Sequence, residues 1–130
     1  MSNTILLGKI VYNWLCTDAN IQADVNNRIY PITVTDVHTE MPFIVYSRTG
    51  VAVTYSKDGI IDEVVDVEFV VVARDYETSV NIANDLRHAL ECKSGNLEGI
   101  HVDNIHLAEV QEDFVENTFW QILKFKFYVH

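Results

Sequence analysis

VVDVEFVVVARDYETSVNIANDLRHALE, from Val64 to Glu91, changes its hydrophobic period once, and that change decides the fold. In its first half Val65, Val67, Phe69, Val71 and Ala73 alternate with Asp66, Glu68 and Arg74. Period two is the signature of a strand with one buried face. From Asp75 onward Val80, Ala83, Leu86, Ala89 and Leu90 recur at spacings of three and four, the apolar stripe of a helix lying on a core. Asp75 is placed to cap that helix, since its carboxylate can accept from the free amides of the first turn. A half-buried strand therefore runs into an amphipathic helix that folds back over it.

Working outward, the N-terminal side supplies a helix and two strands, and opens the third. Leu7, Ile10, Val11, Trp14 and Leu15 form a helical stripe, with Asn3 or Thr4 as its cap and Thr17-Asp18 as its exit. Gly8 inside it costs about 1 kcal/mol relative to Ala, so this helix leans on tertiary packing. Asp18 to Asn27 is mostly polar, and Asn26-Asn27 signals a turn. Arg28-Ile29-Tyr30 is a short extended piece ending at Pro31. A polar connection from Thr33 to Glu40 closes at Pro42, after which Phe43 to Tyr55 alternates, with a bulge or bend permitted at Gly50. Ser56-Lys57-Asp58-Gly59 is a strong turn signal between two long strands, giving a protruding hairpin near residues 55–63.

On the C-terminal side Ser94-Gly95-Asn96 ends the helix, with Gly95 available for a left-handed residue. Gly99 to Val110 is weakly extended, and Gln111 to Asn117 reads as an acidic connection containing Phe114. From Phe119 to His130 alternation is clear, with Leu123, Phe125, Phe127 and Val129 on one face and Lys124, Lys126 and Tyr128 on the other. The expected fold is a single α+β domain over residues 1–130, an antiparallel sheet with two helices on one face, in the order α-β-β-β-α-β-β.

Composition bounds the function. A chain of 130 residues, 48% apolar, is globular and can remove roughly two-thirds of its unfolded surface from water. A formal net charge of −10 opposes unassisted binding to nucleic acid or anionic lipid, which needs clustered Lys and Arg. The N-terminus lacks the basic region and cleavage site of a signal peptide, and no apolar run approaches the ~20 residues of a membrane span, so a soluble intracellular protein is expected. Cys16 and Cys92 read more simply as reduced core residues than as a disulfide.

Chemistry has little foothold. Of the five histidines (His38, His88, His101, His106 and His130), His101 and His106 could be drawn with Asp103 as a metal site. On a strand, however, His106 falls on the opposite face from the other two. Asp62, Glu63, Asp66 and Glu68 could suggest a metal-dependent nuclease, but with Arg74 the one basic residue of that strand they read as a solvated sheet face. Such a row of like charges discourages edge pairing unless a partner supplies cations. Phosphate-binding glycine loops, the nucleophile elbow, the H-E-x-x-H pair and C-x-x-C do not occur. No catalytic residue, cofactor or metal is expected.

What remains is surface awkward for a monomer. Tyr55, Ile60, Ile61 and Val64 border the hairpin, and Val70, Val72 and Ile122 lie on the nominally open sheet face. Either a second-layer loop covers them, or they form a subunit interface with the hairpin reaching onto a neighbour.

Taken in order, Asn27-Arg28-Ile29-Tyr30-Pro31, then Met41-Pro42-Phe43-Ile44-Val45-Tyr46, then Val65 to Arg74 with Asp75-Tyr76 and the helix closing on Arg87-His88-Ala89-Leu90, this chain resembles the tail-completion (tail terminator) proteins of long-tailed bacteriophages and prophages. The resemblance implies a ring, commonly a hexamer, that caps the head-proximal end of the tail tube. It implies as partners the chain itself, the tail-tube protein and the head–tail connector, with assembly in the bacterial cytoplasm and residence in the virion tail. Six copies would carry about −60 in formal charge, so DNA would pass through the lumen without being gripped. Two alternatives stay open. One is a head–tail connector or tail-tube subunit; the other is a small acidic α+β enzyme or ligand-binding domain.

Overall fold

The structure, a computed structural model, describes residues 4–32, 40–97 and 99–129. The capping role expected of Asn3, most of the polar connection after Thr33, His38 and His130 lie outside the described residues.

The N-terminal stripe forms α1 (Leu7–Thr17), entered through a 3-10 turn at Thr4–Leu6. Its N-cap position is Leu6, which offers no side-chain cap, so Thr4 sits inside the entry turn instead of capping the helix. Asp18 does not end the helical region but restarts it. Its Oδ1 accepts from the backbone amides of Asn20 (3.0 Å) and Ile21 (3.1 Å), capping α2 (Ala19–Val25), a helix the polar composition had hidden. Ile21 and Val25, one turn apart, bury its inner side.

After the turn come β1 (Ile29–Pro31), β2 (Phe43–Ser56) and β3 (Gly59–Ala73). The pivot at Asp75 is as expected: its Oδ2 accepts from the Thr78 amide at 3.3 Å and opens α3 (Tyr76–Leu90). The stripe of α3 is Ser79, Ile82, Ala83, Leu86, Ala89 and Leu90; Val80 lies outside it and is exposed. The left-handed residue after α3 is Cys92 (φ 62°), whose amide donates to the Ile105 carbonyl. Gly95, expected in that role, begins the short β4 (Gly95–Leu97). Cys92 is consequently exposed and not core filler, while Cys16 packs partly against the core; both are free thiols.

The chain closes with β5 (Ile100–Val115) and β6 (Thr118–Val129). The segment read as an acidic connection is therefore strand as far as Val115. A two-residue turn at Glu116-Asn117, with φ 48° and 63°, joins β5 to β6.

The sheet has six strands in the order β1-β2-β3-β6-β5-β4. All neighbours are antiparallel except β1 with β2, so the sheet is mixed. The fold is α+β as expected, with three helices instead of two and one extra short strand among the described residues. On the inner face Val65, Val67, Phe69 and Val71 meet Leu123, Phe125 and Phe127 and the stripes of the helices in one core cluster. Phe69 packs edge-on against Phe125 (centroids 5.6 Å), and Trp14 of α1 stands edge-on to Phe127 (6.5 Å).

Candidate functional site

Among the described residues the opposite sheet face carries no helix, and its side chains sort into two halves. Following the register across β2, β3 and β6, one end runs Phe43, Val72, Trp120 and then Val45, Val70, Ile122. These side chains are half-buried, except Val72, which is 5% exposed. The other end is ionic. Lys126 Nζ lies 3.0 Å from Asp66, and Lys124 Nζ lies 3.3 Å from Glu109 on β5. The cations that the acidic row requires thus come from the chain's own β6, because β3 is an interior strand and not an edge. Both pairs are solvated, so water and salt screen them and they add little to stability.

The seven residues singled out from sequence divide into three places. Tyr55, Ile60 and Ile61 lie at the outer end of the β2–β3 hairpin, 69%, 49% and 47% exposed. That end protrudes, because β3 pairs with β6 only as far as Glu63–Val129, while β2 and β3 stay paired to Ser56–Gly59. Val64, Val70 and Ile122 lie on the open face, Val64 beside Tyr128 and Val70 beside Ile122. Val72 shares that face but has almost no surface to offer. It sits between two larger cross-strand neighbours, Phe43 and Trp120, and is already buried in the single chain.

Sequence reasoning missed a further surface, the free edges. β1 covers β2 only at Ile44–Tyr46, and β4 covers β5 only at Ile100–Val102. Among the described residues, β2 beyond Tyr46 and β5 beyond Ile105 have no outer strand partner. Val110 (48%) and Phe114 (55%) are exposed on β5, and Phe114 meets Phe119 (centroids 4.9 Å), which in turn meets Tyr76 (5.9 Å). The signal that could have shown this was Glu116-Asn117, a turn pair flanked by extended sequence.

Ionisable groups elsewhere are paired or dispersed. His101 contacts Asp103 at 3.0 Å, and His106 meets the Asn104 amide at 2.8 Å and the Tyr128 ring. No group of three or more His, Cys, Asp or Glu could hold a metal among the described residues. A groove of about 680 Å³ between α1 and strands β1 and β2 is lined by Ile5, Lys9, Tyr12, Ile32, Tyr46 and Arg48, with no carboxylate or histidine among its described lining residues. Buried Gln121 of β6 donates to Ser79 of α3 (3.3 Å) and Glu112 of β5 (2.8 Å), tying helix to sheet. Those bonds, from Gln121 first and then Tyr76, hold the Glu112 carboxyl below its ordinary range. One pair not foreseen is Asp24 of α2 with Asp85 of α3. Burial first, then the hydrogen bond and charge of Asp85, push Asp24 up to about 7. Neither residue lines the groove. Among the described residues, no helix is long and apolar enough to cross a membrane.

Among the described residues, fold and surface together define a one-sheet α+β domain whose distinctive exposed features are an uncovered, half-apolar sheet face, a projecting hairpin and two strand edges without an outer partner. No family model matches the sequence, and no curated protein matches it. Among solved structures the chain is similar to one from the virion of a native gene transfer agent particle, with a TM-score of 0.81 and 20% sequence identity, over 95% of this chain and 93% of that one. At that identity the shared property is the fold.

Proposed function

We propose that this protein is a structural component of a phage-type tail. It forms a closed homomeric ring, of six copies, on the head-proximal end of the tail tube, where it ends tube growth and offers the docking surface for the head–tail connector. The observation that carries the reading is the fold shared along nearly the whole chain with a virion chain. The sequence resemblance to tail-completion proteins points the same way. The surface chemistry suits the role: on the open sheet face Asp66 and Glu109 are paired with Lys126 and Lys124, and the groove beside α1 shows no acid–base pair among its described lining residues. A ring of acidic subunits repels the DNA that must slide through it. A closed ring also explains how growth stops, since its far face need not repeat the near one.

The test is negative-stain imaging of tail tubes grown with and without the protein. A tail terminator leaves a ring at one end of each tube and halts elongation there. Density along the tube wall assigns the chain to the tube itself, and density on isolated connectors alone assigns it to the head–tail joint. Bare tube ends with unchanged elongation contradict the proposal.

A further inference from the structure

Resting on the ring reading, we infer that the helix layer of one subunit is completed by its neighbour: the entry of α1, carrying Ile5, Leu6 and Lys9, seats in an uncovered acidic trough between α3 and β5 of the next copy. The contact joins helix-side surface to helix-side surface and requires no strand pairing.

The trough exists because the helices stop one strand short. On β6 the helix-side residues Gln121 and Leu123 are 4% and 2% exposed. Their rung partners on β5, Glu112 and Val110, are exposed, Val110 at 48%, and Phe114 beyond them is 55% exposed. The inner wall is α3, where Tyr76 stands edge-on to Phe119 and Val80, one turn later, is 37% exposed. Both lie on the flank of α3 turned away from α2, since Asp85, on the other flank, meets Asp24. Val80, the apolar residue left outside the stripe of α3, thus belongs to a second surface. That surface is also acidic. Glu112 is held on its floor by Gln121, Glu77 follows Tyr76, Glu116 follows Val115, and β5 carries no Lys or Arg. Arg74, just before the Asp75 cap, is the nearest cation in sequence. All these residues are described, and the chain on either side of residues 33–39 adjoins β2, three strands away. There the Ile32 amide donates to the Tyr46 carbonyl, and Glu40 precedes Phe43 by three residues.

The chain carries a surface of the opposite charge on its opposite flank. α1 enters beside β2, where Arg48 Nη1 donates to the Ile5 carbonyl (2.6 Å), and runs inward until Trp14 meets Phe127 of β6. At its entry Ile5 and Leu6 are 71% and 51% exposed. Lys9, also exposed, follows them by one turn and is the sole charged residue of α1. Aliphatic surface comes here with positive charge, and in the trough with negative charge. Seating one in the other removes water from Ile5, Leu6, Val110 and Phe114 and brings Lys9 to the trough carboxylates. Trough against trough, or α1 against α1, opposes like charges. The hairpin tip suits the trough less well, because Tyr55, Ile60 and Ile61 are accompanied by Asp58, Asp62 and Glu63 against Lys57 alone. Donor and acceptor lie on opposite flanks of one helix layer, so each copy gives its α1 to one neighbour and receives that of the other. Such a heterologous contact makes a ring when its rotation closes.

The experiment uses the full chain with Cys16→Ala and Cys92→Ser as background. Leu6→Cys and Phe114→Cys are made as separate proteins, mixed in equal amounts and treated with a short bis-maleimide. Light scattering on the same samples reports assembly. The inference expects cross-linked dimers from the mixture, and less than a tenth as much product from either protein alone. Lys9→Glu on the Leu6→Cys protein should cut the yield by about fivefold, and Glu112→Lys on the Phe114→Cys protein should restore it, with circular dichroism checking that both stay folded. Dimers from Phe114→Cys alone would mean that troughs meet each other and would overturn the inference. A yield unmoved by Lys9→Glu overturns it too, because charge is what selects this occupant. Assembled species by light scattering without cross-linked dimers overturn the α1 contact and leave the ring reading standing. Neither dimers nor assembled species overturns both.

Discussion

The covered and open faces of this sheet are made from alternate residues of the same strands, yet they differ in what completes them. On the covered face Val65, Val67, Phe69, Val71, Phe125 and Phe127 are at most 1% exposed, each packed among helix side chains of the same chain. On the open face Val45, Val70, Trp120 and Ile122 are only half-buried. An apolar side chain left half-wetted contributes little to folding and much to association when a neighbour removes the remaining water. One face specifies the fold; on the ring proposal, the other is left for assembly.

Substitutions can break that contrast or sharpen it. The largest effect belongs to the covered face: Phe69→Ala, which deletes a fully buried ring, should lower unfolding free energy by about 3–5 kcal/mol in urea titrations. A loss below about 1 kcal/mol would mean the helix layer is not the core. Next is the junction between strand and helix, where Asp75→Ala removes the bond to the Thr78 amide. It should cost about 1 kcal/mol and be rescued by Asp75→Ser.

The helix layer itself should respond to pH through Asp24. Its carboxyl is raised from 3.8 to about 7 in the folded state, so the folded chain holds a proton that the unfolded chain releases. This group therefore favours folding at acid pH, and its contribution is lost as pH rises from about 4 to about 7. Solvent screening limits the effect to the order of 1 kcal/mol. Asp24→Asn should raise the Tm at pH 8 and flatten the Tm–pH profile over that window; a profile unchanged by the substitution would remove Asp24 as its cause. Smallest in folding is the hairpin end. Ile60→Ser with Ile61→Ser should change stability by less than about 0.5 kcal/mol while abolishing self-association in size-exclusion runs. Unchanged association would remove the hairpin tip from the interface.

Much of the covered face was legible in sequence because burial there follows simple periods: two along Val65–Ala73 and Leu123–Val129, three and four along α3. The first hairpin was legible through Ser56-Lys57-Asp58-Gly59, where Ser56 Oγ accepts from the Asp58 amide. The second was not. β5 shifts phase twice, at Val102/Asn104 and Leu107/Glu109, so its alternation breaks in the linear sequence although its ladder to β6 continues. Its turn, Glu116-Asn117, has no glycine to announce it. α2 escaped notice because Asp18 serves both as the end of α1 and as the cap of α2. The parallel pairing of β1 is a tertiary choice that three residues do not encode. On the open face, periodicity located Val70 and Ile122 correctly but could not tell that Val72 would be buried between Phe43 and Trp120.

The division of labour between the faces is tested most directly by sedimentation equilibrium over a concentration series, comparing the natural chain with Val70→Ser/Ile122→Ser. The account predicts that the natural chain converges on one discrete multiple of its 14.9 kDa mass, while the variant stays monomeric with a thermal midpoint within a few degrees. A variant that assembles as the natural chain does, or a natural chain monomeric at every concentration, would contradict it.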